Sequence, residues 1–549
     1  MNNIKKRKCM NKNKINSHEE VIAMLESLPE EERDIDSAHA LAYAYFSIDK
    51  DLESPRSLYI ARRTIELLEP FEDGIDDEEY FSEDDKYLIY GEKYKIEEEE
   101  KRQYLWDFLL GRAYFRTQNF TQAYRLIHRS IEQFLSLSET PEDSENVLKN
   151  GGELLNQILE QISCPTNDEP FIQRVEIAWE EFLNRDAELR AMLKTEPEKF
   201  SSTFYSIFSD VFPAKTAISF NWDKNGENPL LVFPFLHHPN LLFMFDYVLK
   251  KCPPKLKEYW RFELGLQPYP AVSVTRNGVR YTAEDILFWL KDLGKNRFQI
   301  SLYCDKLAAT ESISEEEQDW SEVQADEDFS YFVGGSILNG VLGDLLSLRY
   351  IDRYVMLSCP LDEDTDEDDP GTVLSQLPQT LEALGMDINI TTDSFLESSF
   401  KNFSLKVKKR ENFGILEDVH FGRTRCPILR EQFFFWVDNL FFDQLCSCGA
   451  SAGLFMLRVS DFKPQKLWEL QEKLIAYLSE DENQSFCFTG YSRGYQYAYV
   501  EFISWDLDKT LERAYDFSKK FGIWLGYQSF VKKALMVPLS EYPGNPEEN

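Results

Sequence analysis

Histidine is rare in this chain: His18, His39, His128, His237, His238 and His420 are all that occur in 549 residues. None stands in a His-Glu-x-x-His helix, and no Gly-x-x-x-x-Gly-Lys loop is present, so the zinc-peptidase and phosphate-cradle signatures are missing. Basic residues are also in deficit, 60 against 96 acidic ones, which gives a formal net charge of −36. Such a surface repels a polyanion over most of its area, which argues against nucleic acid as a partner. The acidity serves solubility or a competition for a basic protein partner. No run of about 18 apolar residues interrupts the sequence, so no membrane span is expected. The basic stretch 1–17 is followed by acidic residues instead of an apolar segment, and a disordered tail on a cytoplasmic protein is expected.

The nine cysteines are odd in number and scattered, which speaks against a disulfide framework and for a reducing compartment. Cys446 and Cys448 form one close pair, in "DQLCSCGASAG", without the further ligands a zinc site needs. Neither a metal nor another cofactor is expected.

What the chain has in quantity is apolar and aromatic residues, 43% and 14%. That is enough for large cores, and the length calls for several domains. From 18 to 200 the apolar spacing is helical. Leu105, Leu109 and Ala113 share one face, and Ala123, Ile127, Ile131 and Phe134 another, as an antiparallel helical hairpin requires. Ala42, Tyr45 and Ala61 stand in an earlier hairpin where Gly111, Tyr114 and Ala123 stand in this one. An acidic insertion at 69–101 separates the two copies and is read as a solvated loop or as a docking segment for a basic partner. Short β-favouring runs and two helices then predict an α+β domain over 210–360, with an Asn277-Gly278 hairpin turn. The acidic run 361–371 reads as a linker, since it lacks the glycine, glutamate and flanking helices of a calcium loop. A second α+β domain is expected over 372–549. Within it, 452–530 follows the order β, α, β, β, α, β of a ferredoxin-like core.

The central hairpin of that core is "FCFTGYSRGYQYAYVEFISWDLD". Gly490 and Gly494 are expected to bracket its turn, and Tyr495, Tyr497 and Tyr499 to form a protein-binding face. The same tyrosines could stack bases, but that reading wants basic neighbours and Arg493 alone does not supply them. For catalysis, "EDVHFGRTRC" offers the best cluster. Cys426 and His420 would pair as nucleophile and base beside Asp418, with Arg423 and Arg425 lowering the thiol pKa.

"VIAMLESLPEEERDIDSAHALAYAYFSI" and "LWDFLLGRAYFRTQNFTQAY" resemble the repeats of bacterial tetratricopeptide-repeat-like proteins. "KKCPPKLKEYWRFELGLQP", "ILNGVLGDLLSLRYIDRYVML" and the tyrosine hairpin resemble the α+β modules that accompany them, some encoded beside toxin and immunity loci. Gly343-Asp344 departs from the Gly-Glu the resemblance leads one to expect, and Trp106 lies four residues before Leu110 where the repeat asks for three. Helical repeats present concave surfaces and an acidic face steers a basic partner, so the leading expectation is a non-enzymatic bacterial cytoplasmic interaction protein, an adaptor or an immunity-type inhibitor of a basic toxin or nuclease. The competing expectation is an enzyme of unknown reaction with its site between the two α+β domains.

Overall fold

The computed structural model describes residues 18–27, 38, 41–45, 55–68, 100–136, 144–213, 216–223, 226–236, 238–276, 278–308, 320–360, 371–408, 413–435 and 440–539. The basic tail, nearly all of the acidic insertion, His237, Asn277 and residues 361–370 of the acidic run lie outside them. The chain is a mixed α and β protein of two compact units, Met1–Arg174 with Phe403–Asn549, and Val175–Asn402.

The first unit begins with helices α1 (His18–Glu26), α2 (Pro55–Leu68), α3 (Glu100–Arg116), α4 (Phe120–Ser136) and α5 (Ser144–Ser163). Helices α3 and α4 form the expected hairpin, with Leu109, Ala113, Ala123, Ile127 and Phe134 all buried. Arg129 on α4 reaches across to the fully buried Asp107 on α3 with two hydrogen bonds, of 2.6 and 2.7 Å. Between α1 and α2, Arg63 donates to Glu26 at 3.1 Å, and Tyr45 donates to the same carboxylate at 3.0 Å. The unit boundary falls inside α6 (Phe171–Asn184).

The second unit continues through α7 (Asp186–Thr195) and α8 (Pro197–Ile207) into strands β1 (Ser219–Trp222) and β2 (Pro229–Phe233). After α9 (Leu241–Lys250), β3 (Arg261–Leu264) completes a three-stranded sheet, parallel to β2. Trp179, Phe182, Phe200, Phe204 and Phe208 pack edge-on or stacked against one another beneath it, with Trp260 and Phe262. The two indole N–H groups of this core find acceptors, Trp179 at the Val248 carbonyl (2.9 Å) and Trp260 at Asp186 (2.6 Å).

Strands β4 (Ser273–Arg276) and β5 (Val279–Thr282) form a hairpin in which Gly278 takes a positive φ of 77°. Strands β6 (Leu287–Gly294) and β7 (Arg297–Tyr303) follow, then α10 (Trp320–Tyr350), β8 (Ile351–Met356) and β9 (Thr372–Val373), in a sheet ordered β8-β7-β6-β9. The part of α10 from Phe329 to Tyr350 is long and apolar enough to cross a membrane, yet Val333, Ile337, Leu338, Val341, Leu342 and Leu346 all sit in the core of this unit. The helix breaks at Gly343 (φ 69°, ψ 172°), where a Cβ would strike the Leu266 carbonyl. Asp344 follows the break and accepts the Phe235 N–H at 2.9 Å. Its Cβ already lies within 3.1 Å of where Gly265 would place one.

The division of the chain differs from the linear one expected. Past the acidic run, β9 still pairs with β6, and Leu374, with Leu377 and Leu381 of α11 (Leu377–Ala383), joins the same core as Ile300 and Val341. Only after α12 (Thr392–Ser398), within β10 (Lys401–Ser404), does the chain return to the first unit. Apolar contact, not the charge run, sets the boundary.

The returning segment comprises β11 (Phe421–Thr424), α13 (Pro427–Phe435), α14 (Leu440–Ser447), β12 (Ser451–Arg458), α15 (Pro464–Ser479), β13 (Phe486–Arg493), β14 (Tyr497–Ser504), α16 (Leu507–Phe521), β15 (Gly526–Ser529) and β16 (Val537–Pro538). Its seven-stranded sheet runs β10-β11-β13-β14-β12-β15-β16. Phe455, Leu457, Val500 and Phe502 meet Leu467 and Leu474 of α15 and Leu511 and Phe517 of α16. The early helices are bound to this sheet. Ser529 donates to the Ile162 carbonyl, the Phe171 ring lies against Trp505, and the Phe171 N–H donates to the Gly449 carbonyl at 2.9 Å.

Candidate functional site

The residues singled out for chemistry gather around β11 and the β13–β14 hairpin. Asp418 is fully buried and accepts three hydrogen bonds: the Gln496 N–H (2.7 Å), the Tyr497 N–H (3.1 Å) and the Tyr499 hydroxyl (2.6 Å). The carboxylate therefore fastens the hairpin turn from the inside. Gly494 is required beside it, because a Cβ there would overlap the carboxylate. Gly490 does not bracket the turn as expected. It lies within β13 at a bulge, where the Arg423 carbonyl and the Glu501 carboxylate approach to 2.7 and 2.8 Å of where a Cβ would stand.

The three tyrosines do not share one surface. Tyr495 is 39% exposed at the turn, whereas Tyr499 is wholly buried. Burial, with the Asp418 charge next in effect, pushes the Tyr499 phenol far above its ordinary range, so it is a permanent donor. It also accepts the Leu416 N–H at 3.2 Å. Tyr497 stacks at a tilt on Trp524 and is half-buried.

His420 and Cys426 flank β11. The His420 ring lies between Phe421 (5.0 Å) and Tyr495 (5.1 Å), and its Nδ1 is buried without a hydrogen-bond partner among the described residues. Cys426 stands at the start of α13, 2% exposed, its backbone N–H bound to the Thr424 hydroxyl. Burial drives its thiol well above the ordinary cysteine range, despite Arg425 nearby, and a thiol so held is protonated and poorly nucleophilic. No hydrogen bond among the described residues joins Cys426 to His420 or to Asp418.

A different pair forms the electrostatic centre of this sheet. Arg430 on α13 donates through Nε to Glu501 on β14 at 2.9 Å, and its Nη2 donates to Glu501 and to the Ser492 hydroxyl. Arg430 and Glu501 are 8% and 1% exposed, and the guanidinium lies 4.2 Å from the Phe403 ring centre. Sequence reasoning passed over both residues. The available signal was one acid inside the apolar run "AYVEFIS" and one arginine inside "PILREQFFF".

Asp443 was likewise missed, though it stands alone in "LFFDQLC". From α14 it caps the N-terminus of α4, accepting the Thr121 N–H (3.0 Å), the Thr121 hydroxyl and the Gln122 N–H (3.1 Å). Burial pushes its carboxyl up to about 7, with the three donors pulling the other way.

The string Gly449-Ala450-Ser451-Ala452-Gly453 has the spacing of a serine-hydrolase elbow. Its setting is reversed, since Ser451 follows a helix and opens β12, where the elbow serine follows a strand and opens a helix. The hydroxyl is fully buried and unbonded among the described residues. Among those residues no group of three or more His, Cys, Asp or Glu side chains could hold a metal ion.

No family model, no curated protein and no solved structure matches this chain.

Proposed function

We propose that this chain is a non-enzymatic bacterial cytoplasmic interaction protein, an adaptor whose sharper form is an immunity-type inhibitor of a basic toxin or nuclease. The observation that carries the reading is the role of Asp418, Tyr499 and Cys426. Each is buried, and the two oxygen-bearing side chains join one another and the hairpin backbone. Side chains so engaged hold a surface in shape and do not meet a substrate.

The helical hairpins are read as tetratricopeptide-like. Support comes from Gly111, where a Cβ would come within 2.9 Å of Ile127 and 3.1 Å of Leu126, and from Ala123 and Tyr114, which are buried in the same hairpin. Small residues at such a crossing let two helices approach closely. The final module is read as ferredoxin-like, supported by the strand order β13-β14-β12-β15 with α15 and α16 on one face. A net charge of −36 would speed encounter with a basic partner and make it salt-sensitive.

A pull-down with the intact chain at low and raised salt tests the reading. One stoichiometric basic protein, released as salt rises, is the expected result. No partner at either salt would overturn it.

A further inference from the structure

The seven-stranded sheet has a basic edge in an acidic protein. Between 401 and 425 the described residues hold five Lys and Arg against two Asp and Glu, the reverse of the chain's overall balance. Among the described residues β10 is the terminal strand of the sheet, and past its end the Leu405 N–H still donates to the His420 carbonyl at 2.9 Å. Beyond β10 the chain therefore keeps beside the residues that precede β11, and the Val407 carbonyl accepts the Tyr495 hydroxyl at 3.4 Å. Backbone groups alternate in direction along an extended chain, so with Leu405 turned inward the N–H groups of Ser404 and Lys406 point away from the sheet.

The side chains add charge and apolar surface. Lys406 and Lys408 are exposed, and neither makes an ion pair or hydrogen bond with a described residue. The half-buried Arg493 guanidinium, on β13 opposite Phe421, also has none. Leu405 is 46% exposed and Phe421 39%.

We propose that Phe403–Lys408 is a docking edge for an extended acidic segment of a partner protein. The segment would pair with the outward backbone groups while its carboxylates meet Lys406 and Lys408, with Arg493 adding positive potential from deeper in the sheet. An acidic peptide fits better than a nucleic acid because only the peptide can continue a strand ladder, while the net negative charge opposes both at long range. The site does not depend on the basic partner proposed above.

The test is fluorescence anisotropy of a labelled extended peptide of alternating Thr and Glu, titrated with the full chain. Binding that weakens with salt is expected, and Lys406→Gln with Lys408→Gln should weaken it about tenfold. Lys406→Pro, which also removes an outward N–H, should weaken it about fivefold more than Lys406→Gln alone. Far-UV circular dichroism checks that each variant keeps its fold. Three results would overturn the proposal: no peptide binding, which leaves the lysines only as guards of an open edge; equal loss from Lys406→Pro and Lys406→Gln; or equally tight binding of a single-stranded oligonucleotide at the same salt.

Discussion

The unit Val175–Asn402 fills its interior mostly with rings and aliphatic chains, Phe182, Phe200, Phe204 and Phe208 in one cluster and Ile300, Val341 and Leu381 in another, with Asp344 as the one buried carboxylate among its described residues. The other unit has an apolar core too, but buries Asp107, Asp418, Asp443, Arg430 and Glu501 beside it. Apolar packing is tolerant of small changes in partner position, because dispersion and burial are nearly non-directional. A buried carboxylate tolerates none, since each oxygen needs its donors. The polar unit therefore rests more of its register on single buried hydrogen bonds than the other does.

The largest effects should come from removing one member of each kind. Arg430→Ala leaves Glu501 buried without its cation and is expected to destabilise by about 3–5 kcal/mol, read by denaturant unfolding. Pairing Arg430→Met with Glu501→Leu should recover most of that loss. Phe204→Ala in the apolar unit is expected to cost a similar amount, about 3–5 kcal/mol, from lost burial and the cavity left behind. No single second substitution should restore it. If the double polar variant is no better than Arg430→Ala, the contrast between the units fails.

A pH measurement sharpens the same contrast by a few kcal/mol at most. Asp443 titrates near 7 in the folded chain against an ordinary 3.8, so the folded state binds the extra proton between those values. Its contribution is complete below the ordinary value and is lost as pH rises toward and through about 7. Wild type should lose more stability than Asp443→Asn between about pH 5 and pH 8, measured by thermal midpoints. Parallel profiles for the two proteins would show that the cap is ionised throughout.

Smaller again is Gly343→Ala. A side chain at a positive φ against the Leu266 carbonyl should cost about 1–3 kcal/mol and should act in the apolar unit alone. Last, thiol labelling of the native chain should modify the exposed Cys359 and spare Cys426 until the chain unfolds. Rapid native labelling of Cys426 would reopen the nucleophile reading.

Much of this fold was legible. Helical spacing placed the α3–α4 hairpin, and alternating bulky residues placed β1, β2, β7 and β13 close to where they lie. The candidate site was legible only as a neighbourhood. His420, Asp418 and the tyrosines do surround one hairpin, but the sequence could not tell that Asp418 faces inward to Gln496, Tyr497 and Tyr499. Periodicity reports which face of an element is buried, and is silent on the partner that face meets.

The amino-acid sequence by itself determined the acidity, the mixture of helices and strands, and most of their positions, because propensity and apolar spacing act over a few residues. The tertiary structure alone decided that the chain returns after residue 402 to the unit it left at 174. It also joined Thr121 to Asp443 and Arg430 to Glu501. Those pairs lie 322 and 71 positions apart. Contacts at such separation depend on the assembled core, which no local stretch of sequence encodes.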